Sequence, residues 1–413
     1  MKLASFKNLE KLYVFKQDQL AGRLSRLSRG VKFQYDEEYL NKHKNAHAAA
    51  IAFSMPLSEK SFELVGDSLP PFFAGLLPEG LRLKALISAL KTSEDDLFSM
   101  LAASGQDLIG DVAISPQNSL QQILLNESAL DLAVTSFWAL FEQSAHAADY
   151  AARLIDPAIP GIYPKLSGAM ISFPISIAKR RSRYILKLAP PELPKLVENE
   201  HFFMELAAES GLSVAKTQIV QDSKGVKGLL VQRFDRIWNR AAARITALHQ
   251  EDACQFLNLY PQDKYRLSMR DIANGIRQFS SAPAIEISRL IQLYAFSYLI
   301  GNGDLHAKNI SLLSSIDGLD TAFSPAYDLL STIPYGDRQM ALALEGMKDN
   351  LRKKHFLQFG LAYDIPAKAI KKSLDVLTSK VGEALEKLEL IELPAKKLKD
   401  LKKIMLKRIE DLQ

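Results

Sequence analysis

Gly301-Asn302-Gly303-Asp304-Leu305-His306-Ala307-Lys308-Asn309-Ile310-Ser311-Leu312-Leu313 decides how the rest of this chain is read. An Asp followed five positions later by an Asn puts a proton acceptor and a metal-binding amide on one short loop. Phosphoryl transfer asks a protein for an aligned hydroxyl and for positive charge against the phosphates, more than for covalent chemistry. A loop gripped between two apolar runs holds both groups in register. Here the runs are Leu290-Ile291-Gln292-Leu293-Tyr294-Ala295-Phe296 upstream and Ile310 to Leu313 downstream. Asp304 as the cap of a polar turn, with Gly301 and Gly303 as turn formers, fits the same residues, so the neighbours must decide.

Downstream, Asp328 stands in the largely apolar stretch Phe323-Ser324-Pro325-Ala326-Tyr327-Asp328-Leu329-Leu330. A lone buried carboxylate needs a cation or several donors, so a second metal ligand and a capped turn both explain it. Upstream, Arg183-Tyr184-Ile185-Leu186-Lys187-Leu188 is a short strand pattern with a Lys inside it. That Lys either cradles ATP phosphates, as the strand lysine of kinases does, or points to solvent from an edge strand. Asn199-Glu200-His201-Phe202-Phe203-Met204-Glu205-Leu206 reads as an amphipathic helix. Glu200 either pairs with Lys187 or complements the helix dipole. Tyr163-Pro164-Lys165-Leu166-Ser167-Gly168-Ala169-Met170-Ile171-Ser172 is a small-residue turn before a strand and can lay backbone N–H groups over phosphates. It is not a Walker A loop, because no GxxxxGK[ST] occurs in the chain. Gly228-Leu229-Leu230-Val231-Gln232-Arg233-Phe234-Asp235-Arg236 lies between Glu200 and the Asp/Asn loop, where a kinase joins its two lobes. Turn, strand Lys, helix Glu, hinge, Asp/Asn loop and metal Asp therefore follow protein-kinase order, and the order is stronger than any one signal.

These residues resemble the HipA-like serine/threonine kinases, the toxin components of bacterial toxin–antitoxin modules. Val231-Gln232-Arg233-Phe234-Asp235-Arg236 is similar to the family's hinge, and His249-Gln250-Glu251-Asp252-Ala253-Cys254-Gln255 to its HQEDxCQ segment, with Asp263-Lys264-Tyr265 following. Pro70-Pro71-Phe72-Phe73-Ala74-Gly75-Leu76-Leu77-Pro78-Glu79-Gly80 and Gly105-Gln106-Asp107-Leu108-Ile109-Gly110-Asp111 are similar to segments of its N-terminal subdomain. The resemblance implies that Asp304 is the catalytic base, that Asn309 and Asp328 bind magnesium, and that Lys187, positioned by Glu200, contacts the phosphates of ATP. It implies an adenine pocket along Gln232 and Phe234, a phosphate loop at Ser167, Gly168 and Ala169, and added positive charge near the γ-phosphate from His306 or Lys308. It also implies a protein substrate, such as an aminoacyl-tRNA synthetase, and growth inhibition. The implied partner is a helix-turn-helix antitoxin, through which any contact with DNA is indirect. One segment departs from the family pattern. The loop usually reads GxQxK, whereas Met170 and Ser172 stand here for the Gln and the Lys. The serine that such kinases phosphorylate on themselves is replaced by Lys165, leaving Ser167 or Ser172 as substitutes.

The chain of 413 residues is long enough for two or three domains. Its 47% hydrophobic and 24% charged content is that of a globular protein. One cysteine, Cys254, leaves no internal disulfide and no Cys-based metal site. No apolar run reaches the ~20 residues of a membrane helix, and the first ten residues lack the apolar core of a signal peptide. The expectation is a cytoplasmic enzyme with no membrane contact. The net charge of +5 is mild and does not demand nucleic acid. Lys179 to Arg183 reads as a solvated turn, and Lys396 to Arg408 as an amphipathic helix packed on the domain. His43 and His47 lack the Glu or Cys that would complete a zinc site and read as surface residues.

The expected fold is α+β, a bilobal kinase-like architecture behind an N-terminal subdomain. Residues 1–118 form that subdomain, with helices at Leu81 to Leu90 and Glu94 to Ala103. Residues 119–235 hold linker helices, on which Leu130, Val134, Phe137, Leu140 and Phe141 share a face, and then the small lobe from about 161. Residues 236–413 form a mostly helical large lobe. Two other functions compete with a protein kinase. One is a small-molecule kinase of the aminoglycoside or choline type, whose loop is similar. The other is an ATP-binding corepressor that has lost turnover through Met170 and Ser172.

Overall fold

The computed structural model describes residues 3–44, 49–66, 68–105, 108–120, 129–130, 135–140, 170–177, 182–240 and 243–413. Within the first 118 residues, alternating apolar positions build an antiparallel sheet from β1 (Lys11–Lys16), β2 (Gln19–Leu27), β3 (Gly30–Tyr35), β4 (Phe62–Val65) and β5 (Val112–Ser115), in the order β4-β3-β2-β1-β5. Leu12, Val14, Leu24 and Phe33 turn one face onto Phe72, Phe73 and Phe98. The helix Gly80–Leu90 matches the sequence expectation closely. The next helix begins at Leu97 rather than Glu94, because the Asp96 carboxylate accepts from the Ser99 backbone N–H at 3.2 Å and caps it there.

The second sheet runs β6 (Ala129–Leu130), β7 (Ile171–Ile177), β8 (Arg183–Leu188), β10 (Lys227–Gln232), β9 (Thr217–Gln221). Leu130 corrects the helical expectation for its segment: it pairs in parallel with Ile177 at the sheet edge. Pairing across the fold overrides a periodicity that one strand edge satisfies equally well. Phe137 sits in a helical turn over residues 137–140 and is buried on Ile171, Leu186 and Leu188, as its spacing predicts. Val134, Phe141 and the remainder of that expected helix lie outside the described residues. The helix Leu196–Glu209 packs on this sheet.

Beyond the hinge, β11 (Arg236–Asn239) and β12 (Arg244–Ala247) form a hairpin, and β13 (Gln250–Asp252), β14 (Ser311–Ser314) and β15 (Thr321–Phe323) form a small antiparallel sheet. The helices Met269–Phe279, Pro283–Ile300, Lys353–Leu361, Ala367–Ala384 and Ala395–Leu412 enclose the largest core. The last of them buries Leu401, Met405 and Ile409 and keeps its lysines at the surface, as expected, but Arg408 turns inward. Its guanidinium donates to the Tyr298 and Arg338 carbonyls at 2.6 and 2.5 Å. Among the described residues no helix is long and apolar enough to cross a membrane.

The N-terminal sheet domain is docked on the hinge and large lobe through buried polar groups. Asp235 accepts from Arg233 and Arg236, each at 2.7 Å, and from the Gly110 backbone N–H at 2.9 Å. Both arginines also donate to the Leu108 carbonyl at 2.8 Å. Lys16, Asp111, His249 and Glu251 form a second chain of contacts, at 2.9 Å for each of its ion-pair links. These polar joints fix where the first domain stands over the large lobe.

Candidate active site

Lys187 lies on β8, a central strand with β7 on one side and β10 on the other. The edge-strand alternative for this residue therefore falls. Its ammonium donates to Glu200 Oε1 at 2.7 Å and to Asp328 Oδ1 at 2.6 Å. Glu200 is fully buried in the second turn of the helix Leu196–Glu209, so the geometry selects the pairing role and not the helix-start role. Burial works against the Lys187 charge, but Asp328 and Glu200 outweigh it and hold the ammonium well above its usual range. Burial also raises Glu200, to about 7, against the pull of Lys187. For Asp328 the balance reverses: Lys187 overcomes burial and keeps this carboxyl below its ordinary value.

The helix Pro283–Ile300 ends on Gly301 at φ +74°. A side chain there would meet Ile333 as well as a backbone strain, so glycine is what lets the chain turn sharply into the Asp304 loop. The Asn302 carboxamide accepts from the Asp304 backbone N–H at 3.0 Å, and the Thr332 hydroxyl accepts from that of Gly303 at 2.9 Å. Asn309 Nδ2 donates to the Asp304 carbonyl at 3.0 Å, and Asn309 is among the groups that hold the Asp328 carboxyl below its ordinary value. Asp328 itself takes φ +60°, a left-handed conformation that costs a non-glycine residue energy and aims its carboxylate at Lys187 and Asn309. Asp304 is 1% exposed, and its Oδ1 accepts from the Tyr265 hydroxyl at 3.0 Å.

His306 and Lys308 part company. Burial and then Lys264 drive His306 down to about 3, so its ring is neutral at physiological pH. Lys308 stays charged but is engaged: its ammonium donates to the Gly75 carbonyl at 2.9 Å and pairs with Glu79 and Asp252, each at 3.2 Å. Neither thus brings a loose positive charge to the cleft.

A cleft of about 320 Å3 opens between the lobes. Lys187, Gln232, Phe234 and Lys308 line it, and the Phe234 ring sits 5.7 Å from that of Tyr327. Leu76 to Glu79 supply part of the wall from the N-terminal domain. Ser167, Gly168 and Ala169 lie outside the described residues, as do His47 and positions 178–181 of the basic cluster. The adjoining departures are described. Met170 is buried in an apolar cluster with Leu196 and Leu330. Ser172 stands directly across from Lys187 on the neighbouring strand and also lines the cleft. A lysine there would oppose Lys187 with like charge.

Residues 158–385 match the HipA-like C-terminal domain, and residues 12–115 match the HipA N-terminal domain. The chain belongs to the HipA-like family of kinases. It is 29% identical over 350 residues to a putative kinase, Y4mE, of Sinorhizobium fredii, covering 81% of this chain and 80% of that one. It is 29% identical over 305 residues to the serine/threonine-protein kinase toxin HipA of Shewanella oneidensis, covering 68% and 67%. The structure of Shewanella oneidensis HipA with HipB and operator DNA superposes with a TM-score of 0.74 at 23% identity, over 97% of this chain and 96% of that one. The shared fold is thus bilobal α+β behind an N-terminal domain.

The donor set of this HipA-like chain fits a magnesium ion. Asn309 and Asp328 offer one amide and one carboxylate oxygen, hard ligands that leave most of the shell to phosphate and water. Among the described residues no group of three or more His, Cys, Asp or Glu stands where it could enclose a metal. Sequence reasoning missed Tyr265 and Glu79 as neighbours of the loop. Both lie in segments that the family resemblance had marked, but nothing in one sequence says which side chain of such a segment turns inward.

Proposed function

We propose that this chain is an ATP-dependent serine/threonine protein kinase that transfers the γ-phosphate to a hydroxyl on a protein and thereby inhibits growth. The observation that carries the reading is the Lys187 ammonium held between Glu200 and Asp328, with Asn309 tied to the Asp304 carbonyl. Lys187 holds the ATP phosphates, and Glu200 keeps its ammonium pointed into the cleft. Gln232 and Phe234 flank the adenine, and the Ser167-Gly168-Ala169 turn covers the phosphates. Asp304 accepts the proton of the incoming hydroxyl and orients it for attack. Asn309 and Asp328 hold magnesium. When bound, such a cation would supply positive charge against the phosphate oxygens. The substrate class is a protein, with an aminoacyl-tRNA synthetase as the first target to test. The partner is a helix-turn-helix antitoxin, by analogy with the Shewanella oneidensis protein, whose complex contains HipB and operator DNA.

The test is transfer of labelled γ-phosphate from ATP in a host-cell lysate by wild type and by Asp304→Gln. A labelled protein band with wild type alone supports the reading. Label confined to small molecules makes the chain a small-molecule kinase. ATP binding without transfer makes it a binding module and directs attention to Met170 and Ser172.

A further inference from the structure

The N-terminal domain touches the Asp304 loop at Lys308, through the Gly75 carbonyl and the Glu79 carboxylate. Glu79 occupies the N-cap position of the helix Gly80–Leu90, yet its side chain makes no capping hydrogen bond. Glutamate is a poor cap, and Gly80, at φ +58°, turns the chain so that this side chain leaves its own helix. Glu79 Oε2 accepts from Lys264 at 2.5 Å, and Oε1 pairs with Lys308 at 3.2 Å. Burial alone would raise Glu79, but Lys308 and Lys264 hold it at about 2, so it is ionised at any working pH.

Each lysine leads to Asp304 by a short path. Lys264 precedes Tyr265, lies 5.3 Å from its ring centre, and Tyr265 donates to Asp304 Oδ1. The Tyr265 ring also meets the His306 ring edge-on at 5.1 Å. Lys308 precedes Asn309, which donates to the Asp304 carbonyl. The two arms therefore grip the loop from opposite ends, and one carboxylate from another domain joins them. Backbone bonds shape the loop, among them Asn302 and Thr332 at its start and the Tyr327 hydroxyl on the Lys308 carbonyl at its end, and the two arms add ties from outside it.

We propose that Glu79 is a positioning residue: it docks the N-terminal domain onto the catalytic loop and sets where the Asp304 carboxylate and the Asn309 amide stand. This rests on the kinase reading for its effect on rate, but not for its effect on the loop. An N-terminal domain that lifts away takes Glu79 and the Gly75 carbonyl with it, strips Lys264 of this carboxylate and leaves Lys308 on Asp252, so docking of that domain and the position of the loop are coupled.

The experiment uses the full chain with Glu79→Gln, which keeps shape and removes charge, and with Lys264→Gln. Hydrogen exchange of peptides spanning 301–310 is measured beside that of peptides spanning 233–236, at the separate Asp235 joint. The expected result is exchange about tenfold faster at 301–310 and unchanged at 233–236. The phosphoryl-transfer kcat falls about tenfold with little change in KM for ATP. The double variant loses no more than the worse single one, because both changes break the same link, and Glu79→Asp recovers part of the rate. A melting temperature that falls while 301–310 exchanges as in wild type overturns the proposal, since Glu79 then only glues two domains. If wild type transfers no phosphate, the kinase reading fails, and the exchange at 301–310 still decides whether Glu79 holds the loop.

Discussion

Lys187 and Lys308 face the same cleft, and each is held by two carboxylates. Lys187 joins Glu200 and Asp328, both from the lobes that form the cleft. Lys308 joins Asp252 and, from the N-terminal domain, Glu79, and donates to the Gly75 carbonyl as well. In the first triad one carboxylate, Asp328, is also a candidate metal ligand, so its partner can exchange for a cation and phosphates at little cost. The second triad has no such alternative partner and ties three parts of the chain together. On the proposed reading, similar charges serve transfer in one place and assembly in the other, and what separates them is which elements supply the anions.

The largest effect that would sharpen this contrast is on rate. Lys187→Met is expected to lower phosphoryl transfer by about a hundred- to a thousandfold through loss of charge on the phosphates, measured by steady-state kinetics with the fold checked by circular dichroism. Lys308→Met is expected to act chiefly on stability, beside a loss of rate of about the tenfold expected of Glu79→Gln. It strands a buried Asp252 and a bound Glu79, at a cost of about 3–5 kcal/mol for a broken buried pair, read from urea denaturation. Should Lys308→Met instead lose transfer at full stability, Lys308 is a phosphate ligand and the contrast breaks.

Acid offers a third way in. Glu79 and Asp235 are each held at about 2, against ordinary values of 4.5 and 3.8. Burial opposes their charge, and the cations beside them overcome it. A depressed folded value favours the native state above the unfolded value, and this contribution disappears as pH falls through the folded one. Melting temperature is therefore expected to fall between about pH 5 and pH 2. In Glu79→Gln and in Asp235→Asn that fall becomes shallower, because the group that titrates is gone. The smallest effect is a control. Lys380 pairs with Glu383 at 2.8 Å on an exposed helix face, and Lys380→Ala is expected to leave the thermal denaturation curve unchanged.

Much of the kinase half was legible from residue order. The strand at Arg183–Leu188, the helix carrying Glu200 and the strand entering Gln232 all form where local pattern placed them. Local pattern could not say that Lys187 sits mid-sheet or that Glu200 faces it, since strand order is set by pairing between distant segments. Leu130 shows the converse, a helical spacing captured by a sheet edge. Met170 read as a lost polar contact, and became intelligible only beside Leu196 and Leu330.

By itself the sequence determined the chemistry on offer. An Asp and an Asn five apart, a Lys in a strand, a Glu in the next helix and a second Asp downstream are choices of side chain, and their order survives without coordinates. Tertiary structure alone decided which charges meet. Glu79 and Lys308 are far apart in the chain, as are Gly110 and Asp235, yet each pair is in contact. Such contacts depend on docking whole domains, and no local periodicity encodes them. They are also where a buried charge finds partners that its own segment does not supply, as Glu79 does with Lys264 and Lys308.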